Sequence, residues 1–326
     1  MKSTVQDNKI EAMPKTKPQR RNQTFWQRFV SQGQLILMSV PMLIYVIIFA
    51  YVPLWGWLMA FQQYKPRGGS IFSQQWVGLD QFKFLFMDEG FTRVLRNTIA
   101  MSVISLVLSF ITAIGFAILL QEIKRSFFKR WIQTISYLPH FLSWVIVTGI
   151  VATSLSTEDG IVNIVLMKLH LIDSPILWLG EGKYFWGIVG ASNVWKEVGW
   201  NAIIYLAAIS AIDPSLYEAA EMDGASRYRK IWHITLPGIK PVIIILLIMN
   251  LGWILNGGGF EVQYFLGNGQ VVDWSETIDI FVLKYGLRIG NYSLGTAAGI
   301  FKTVVSIVLL FMANSIAKRL GEERLI

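Results

Sequence analysis

Residues Asp213 to Pro241 read DPSLYEAAEMDGASRYRKIWHITLPGIKP. Asp213 followed by Pro214 is a helix start, because an aspartate accepts from free backbone amides and proline's fixed φ suits the first helical position. Leu216, Ala219, Ala220 and Asp223 follow at helical spacing. Gly224 permits a sharp turn, and Ser226 caps a second short helix carrying Ile231, Ile234 and Leu236 before Pro237 stops it. Two short helices around a glycine make a compact knob. The small face of Ala219 and Ala220 would let a partner's backbone approach closely.

On both sides of this knob the chain turns apolar. Its 326 residues are 53% hydrophobic and only 15% charged, with a mean hydropathy of +0.47. A soluble domain carries about a quarter charged residues. About 20 apolar residues cross a bilayer. Arg28 to Lys65 encloses 36 uncharged residues, Arg96 to Glu122 encloses 25, Arg130 to Glu158 encloses 27 and Lys240 to Glu261 encloses 20. These runs predict spans over Leu35–Met59, Thr98–Leu120, Ile132–Leu155 and Pro241–Leu255. Two more, Tyr184–Ile212 and Leu294–Ala317, are interrupted by Lys196-Glu197 and by Lys302. Buried soluble helices imitate one such run, not six. The fold class is an all-α polytopic membrane protein with six transmembrane helices.

The chain carries 29 Lys+Arg against 21 Asp+Glu, a formal charge of +8. Sorted by loop, 18 basic residues fall on the side of the N-tail, Gln121–Arg130, Asp213–Lys240 and the C-tail. The opposite side holds 9. Positive charge accumulates on the cytoplasmic face, so both termini are predicted to be cytoplasmic. The basicity is a topology signal, and no nucleic-acid partner is needed to explain it. Residues 1–30 read as a basic cytoplasmic tail with a surface helix around Phe25–Val30, and no cleavable signal peptide is expected there, since the stretch lacks an apolar core with a small-residue cleavage site. Absent cysteines exclude disulfides, thiolate catalysis and Cys-based metal sites. Three widely spaced histidines argue against a His-rich metal site, and no metal or catalytic residue is assigned.

The knob matches a family pattern. Glu218-Ala219-Ala220, Gly224 and Ile234-Thr235-Leu236-Pro237 read EAA-x3-G-x9-I-x-LP, which resembles the EAA loop of permease subunits in binding-protein-dependent ABC importers. Phe49-Ala50-Tyr51-Val52-Pro53, Trp76-Val77-Gly78-Leu79 before Phe82, and Asn97-Thr98 resemble the MalF-type carbohydrate permeases. Within these the chain is similar to the branch importing polysaccharide fragments and oligo-uronides. The resemblance runs from about Leu35 to the C-terminus and implies a type I ABC importer permease architecture over 31–326. It implies that Glu218, Ala219, Ala220, Asp223, Gly224, Ile234, Leu236 and Pro237, within the coupling loop 213–241, dock into a groove on a cytoplasmic ATPase.

The same resemblance implies the partners: a second, different permease subunit as heterodimer, two ABC ATPases and an extracytoplasmic solute-binding protein. The setting is a bacterial cytoplasmic membrane. Gly68–Gly90 and Thr157–Lys183 are the surfaces expected to meet the binding protein. A P-loop needs G-x4-G-K-[ST] after a strand, and Gly180-Glu181-Gly182-Lys183-Tyr184 lacks the earlier glycine and the hydroxyl. ATP and Mg are therefore expected on the partner ATPase, with no cofactor in this chain, which is read as non-catalytic.

A charge inside the bilayer is costly and normally faces protein or water. Lys196 and Glu197 therefore carry two readings: one lines the path, where Lys196 meets a substrate carboxylate, or they form an interhelical pair or gate contact. Sugar sites combine amide side chains with stacking aromatic rings. Asn193, Trp195, Trp200 and Asn201 form one such mixture, and Asn250, Trp253 and Asn256 another, with Trp253 and Asn256 at i, i+3 on one helical face. Interfacial anchoring is the competing reading for the tryptophans. Gly257-Gly258-Gly259-Phe260 would unwind the helix end at a gate or outward mouth. Lys302 is expected to snorkel or to pair with another subunit.

The expected function is passage of polysaccharide-derived oligosaccharides, acidic ones included, from the binding protein into the cytoplasm. Other importers of this family, for glycerol-phosphate esters or lipid precursors, stay open. So does a secondary transporter using Lys196, Glu197 and Glu261 as an ion relay.

Overall fold

The computed structural model describes residues 32–256 and 259–319. The basic tail, where a surface helix is expected, and Gly257-Gly258 lie outside the described residues. The chain divides into two units at Trp55/Gly56. In the first, α1 (Gly33–Val46) leads into a π-helical turn, Ile47–Tyr51. Its side chains, Leu37, Met38, Phe49 and Tyr51 among them, are exposed and apolar, as a lipid-facing helix requires.

The second unit holds the remaining spans. After a 3-10 segment ending at Phe61, β1 (Gln62–Gln63) pairs antiparallel with β2 (Gln75–Trp76). Then follow α2 (Asp80–Met87) and the long α3 (Glu89–Glu122), whose start is capped by Asp88 accepting from the Gly90 amide at 2.8 Å. Two hydroxyls inside α3 bond back one turn, Thr98 to Val94 O and Ser102 to Thr98 O, so these two carry no unmet donor into the bilayer. α4 (Ser126–Tyr137), a 3-10 turn at Leu138–Phe141 and α5 (Trp144–Ser154) come next, then α6 (Ile161–Lys168) and α7 (Gly182–Ser210).

Among the described residues, four helical stretches are long and apolar enough to cross a membrane: Gly33–Phe61, Glu89–Glu122, Arg227–Gly252 and Tyr292–Arg319. The other two expected spans belong to bent pairs. Ile132–Leu155, expected as one helix, is broken, with α4 and α5 meeting at 104°. Pro139 sits at the start of the intervening turn, where proline cannot continue an α-helical ladder. α7 runs unbroken through Lys196-Glu197 and turns 70° into α8 (Pro214–Met222).

Asp213 caps α8 by accepting from the Ser215 amide at 2.9 Å, and Gly224 turns the chain at φ +72. Ser226 then caps α9 (Arg227–Lys230). Pro237 does not stop this helix. α9 passes through a π-helical turn, Ile231–Thr235, into α10 (Leu236–Gly252), with Pro237 in the first turn. The widened turn absorbs the amide that proline lacks.

The outer segment contains α11 (Phe260–Leu266), α12 (Val272–Ser275), α13 (Ile278–Phe281) and a π-helical stretch, Val282–Arg288, before α14 (Tyr292–Arg319). Asn97 and Thr98 fasten this segment to α3. Asn97 donates to the Asp273 and Glu276 carbonyls at 3.0 and 3.1 Å, and Thr98 Oγ1 accepts from the Ile278 amide at 3.0 Å. Lys302 pairs with Asp279 of its own chain at 2.6 Å, correcting the expectation that it snorkels or meets another subunit.

α3 and α7 pack along one another as the central pair. At the end nearer the knob, Ala113, Ala117, Leu120, Tyr205, Ile209 and Ile239 bury one core. At the opposite end Met101, Phe185, Val189, Val262 and Leu266 bury another. Between these two plugs the helices do not close.

Candidate functional site

The gap is a cavity of about 160 Å³ at mid-depth of α3 and α7. α7 contributes Asn193, Glu197 and Asn201, and the end of α10 contributes Asn250 and Trp253. The spans before and after the knob thus bring five of the nine expected path residues together. Asn201 Nδ2 donates to Ser109 Oγ at 3.2 Å, while Asn193 and Asn250 bond back to Val189 O and Leu246 O. The third wall was not foreseen. It comes from α3 through Ser102, Ser105 and Ser109, with Leu106 and Phe110. The serines recur at i, i+3 and i+7, one face of a helix, and that periodicity was the available signal. Ser105 Oγ is buried without a partner beside the cavity.

The other expected path residues sit elsewhere. Trp195 lines a separate apolar groove with Ile150, Leu155 and Val162. Trp200 stacks on the His140 ring, with centroids 4.3 Å apart and planes 2° from parallel. Trp253 and Asn256 do not share an α-helical face, because α10 ends at Gly252 and a 3-10 turn covers Ile254–Asn256. Trp253, projecting at that break, is exposed. The side chain of Asn256 lies outside the described set.

Lys196 does not line the cavity. It is 5% exposed, and its ammonium donates to His140 O at 2.5 Å and Leu142 O at 3.0 Å. Those carbonyls belong to the break between α4 and α5, where the α-helical ladder stops and leaves acceptors unmet. Trp144 lies beneath the cation at 5.4 Å. The residue bolts the bend to α7, which is the interhelical reading. Glu197, about 100° further round the helix, reaches the cavity wall. Its Oε2 lies 2.7 Å from His140 Nδ1 and its Oε1 3.5 Å from Lys196 Nζ.

The knob separates its eight expected residues into two groups. Glu218, Ala219, Asp223 and Gly224 are exposed, Ala220 half so, around the turn. Ile234 and Leu236 turn inward, and Leu236 packs on the core near the knob. Pro237 is exposed on the first turn of α10. Sequence reasoning missed the large apolar rim at the turn: Met222 is 88% exposed, and Tyr228 and Trp232 are also open. Lys230 Nζ bonds Glu221 at 2.6 Å and holds that carboxyl below the usual glutamate range. Asp213 is likewise lowered, chiefly by the Ser215 backbone amide it accepts. Tyr217 Oη lies 3.0 Å from Thr235 Oγ1, tying α8 to the π turn at the root of α10.

Among the described residues no group of three His, Asp or Glu side chains could hold a metal ion. The amides, hydroxyls and indole of the cavity can bind and position polar groups.

The chain is 42% identical over 296 residues to the polygalacturonan/rhamnogalacturonan transport system permease protein YteP of Bacillus subtilis (strain 168), covering 91% of each. It superposes with TM-score 0.83 and 39% identity on a chain of a bacterial ABC transporter involved in import of the acidic polysaccharide alginate, covering 90% of this chain and 98% of that one. A bacterial alginate ABC transporter in complex with a periplasmic protein carrying alginate pentasaccharide matches with TM-score 0.85 and 37% identity, over 93% and 100%. Residues 113–322 match the family of binding-protein-dependent transport system inner membrane components. With four apolar spans, two bent helix pairs and the knob of the EAA pattern in place among the described residues, the chain is a member of that family.

Proposed function

We propose that this chain is the non-catalytic permease subunit of an ATP-driven importer that passes acidic, polysaccharide-derived oligosaccharides from an extracytoplasmic binding protein into the cytoplasm. The observation that carries the reading is the cavity, with three amides and one exposed indole from the helices that flank the knob and three hydroxyls from α3. Amides and hydroxyls match sugar hydroxyls, and an indole face matches the apolar CH face of a pyranose. The relatives support the substrate class, since polygalacturonan and alginate are both uronate polymers.

In this reading a second, different permease completes the pore, and two ATPases bind ATP and Mg and grip the exposed turn at Glu218–Gly224. Both termini are cytoplasmic. Closure of the ATPase pair pulls α8. Because α8 is joined to α7 by the short 70° bend at 211–213 and tied to α10 through Tyr217–Thr235, the cavity walls on α7 and α10 move together. The pathway then opens outward, receives sugar and releases it inside.

The test is uptake into proteoliposomes holding the assembled complex and its binding protein. ATP-dependent accumulation of oligogalacturonides, exceeding that of neutral malto-oligosaccharides, is the expected result. Accumulation without ATP or ATPase would replace this reading with a secondary transporter.

A further inference from the structure

A pathway for polyanions has one apparent defect. Glu197 is the one charged side chain among the described residues lining the cavity, and its sign is wrong for a uronate. At a few ångströms and intermediate dielectric, two like charges repel by several kcal/mol. The structure deals with this carboxylate from both oxygens. Oε1 faces the Lys196 ammonium, which is itself immobilised on two carbonyls and cannot follow a substrate. Oε2 meets His140 Nδ1 at 2.7 Å. An ionised carboxylate only accepts, so Nδ1 carries the proton and donates. The imidazole is fixed in turn, face to face with Trp200 and edge-on to Phe141. His140 itself does not line the cavity.

We propose that His140 is a specificity-determining residue: its Nδ1–H holds the Glu197 carboxylate against Lys196 and masks it, so that the cavity accepts anionic oligosaccharides. Trp200 is then a positioning residue for that ring, not a sugar platform. The functional side of this inference rests on the acidic-substrate reading above, whereas the masking itself does not.

The chain's lack of cysteine makes a direct measurement possible. Asn250→Cys places one thiol on the α10 wall of the same cavity, and its modification in the assembled transporter is followed by the mass of this chain. The probes are an anionic sulfonatoethyl and a cationic trimethylammonium-ethyl methanethiosulfonate. His140→Phe keeps an aromatic ring on Trp200 and removes the donor. It is expected to lower the anionic-to-cationic rate ratio about tenfold, as one unmasked charge nearby predicts. His140→Phe/Glu197→Gln is expected to restore it. An unchanged ratio in His140→Phe, or a lowered ratio that persists in the double variant, overturns the masking. Should His140→Phe fail to assemble, the double variant, which has no carboxylate left unsatisfied, is expected to assemble. Failure of both overturns the proposal as well. In the transport arm, oligogalacturonide uptake is expected to fall about tenfold in His140→Phe and to return in the double variant. A shifted ratio in a parent complex that carries no oligogalacturonide would leave masking intact and overturn the acidic-substrate reading instead.

Discussion

Lys196, midway along α7, donates its ammonium to the carbonyl oxygen of Leu142 at 3.0 Å, at the point where the neighbouring span is broken. With the second bond to His140 O, this side chain satisfies the acceptors that a 104° bend sets free. A charge-assisted hydrogen bond contributes about 1.5–3 kcal/mol, and an unmet buried acceptor costs about as much. Lys196→Met is expected to destabilise the complex by about 3 kcal/mol. Lys196→Met/Glu197→Gln, which leaves no bare carboxylate in the cavity, should lose uptake equally for acidic and neutral oligosaccharides. Thermal unfolding of the purified single variant and paired uptake assays of the double variant check both statements; selective loss of acidic substrates in the double variant would put Lys196 back in the path.

Gly224 turns the knob at φ +72 with open space around it. Only backbone conformation restricts this position, so Gly224→Ala is expected to cost about 1 kcal/mol locally while Gly224→Asn, at home in left-handed backbone, costs less. Membrane assembly should survive both. The ratio of sugar imported to ATP hydrolysed should drop in the alanine variant and stay near parent in the asparagine variant. Cysteines at Glu218 or Gly224 should crosslink to the ATPase, and their silence in a transporting complex would remove the docking assignment.

Gly286 and Gly295 bring the π-helical stretch against α14, and the two positions are not equivalent. A methyl on Gly295 would stand 2.7 Å from the Gly286 Cα, whereas one on Gly286 would stand at an ordinary 3.4 Å from the Gly295 Cα. Gly295→Ala is therefore expected to destabilise by about 1–3 kcal/mol through overpacking, and Gly286→Ala by less. Size-exclusion profiles of heated detergent extracts would rank them. The reverse order would contradict the packing described.

Tyr217→Phe deletes the bond to Thr235 and nothing else in the knob. A net loss of about 1 kcal/mol in stability follows. Stimulation of ATP hydrolysis by sugar-loaded binding protein should weaken while basal hydrolysis holds. Equal loss of both would make the tyrosine a folding residue only.

The six spans were legible because charge is excluded from hydrocarbon, and that exclusion leaves long gaps between charged residues. The caps at Asp213 and Ser226 and the turn at Gly224 were legible because each is a local rule obeyed within three residues. What hydropathy could not convey was direction. The run Ile132–Leu155 is apolar whether straight or bent, and Pro139 alone hinted at the break. Lys196 looked like a charge in search of a ligand because its acceptors lie 56 and 54 positions earlier in the chain. The serine face of α3 was hidden in a span read only for its apolarity. The amides on α7 and α10 were found because their side chains matched a chemistry, although the rings beside them had structural duties.

The π turn at Ile231–Thr235 fixes the phase of α10. Each residue of a helix advances the azimuth by about 100°, and everything beyond the turn inherits the offset. Removing a single residue there would rotate Asn250, 15 positions past Thr235, away from the cavity. That wall would then present a hydrocarbon side chain to the sugar. Indels at this short turn, remote from the pathway, would thus rewrite its lining without changing one residue in it.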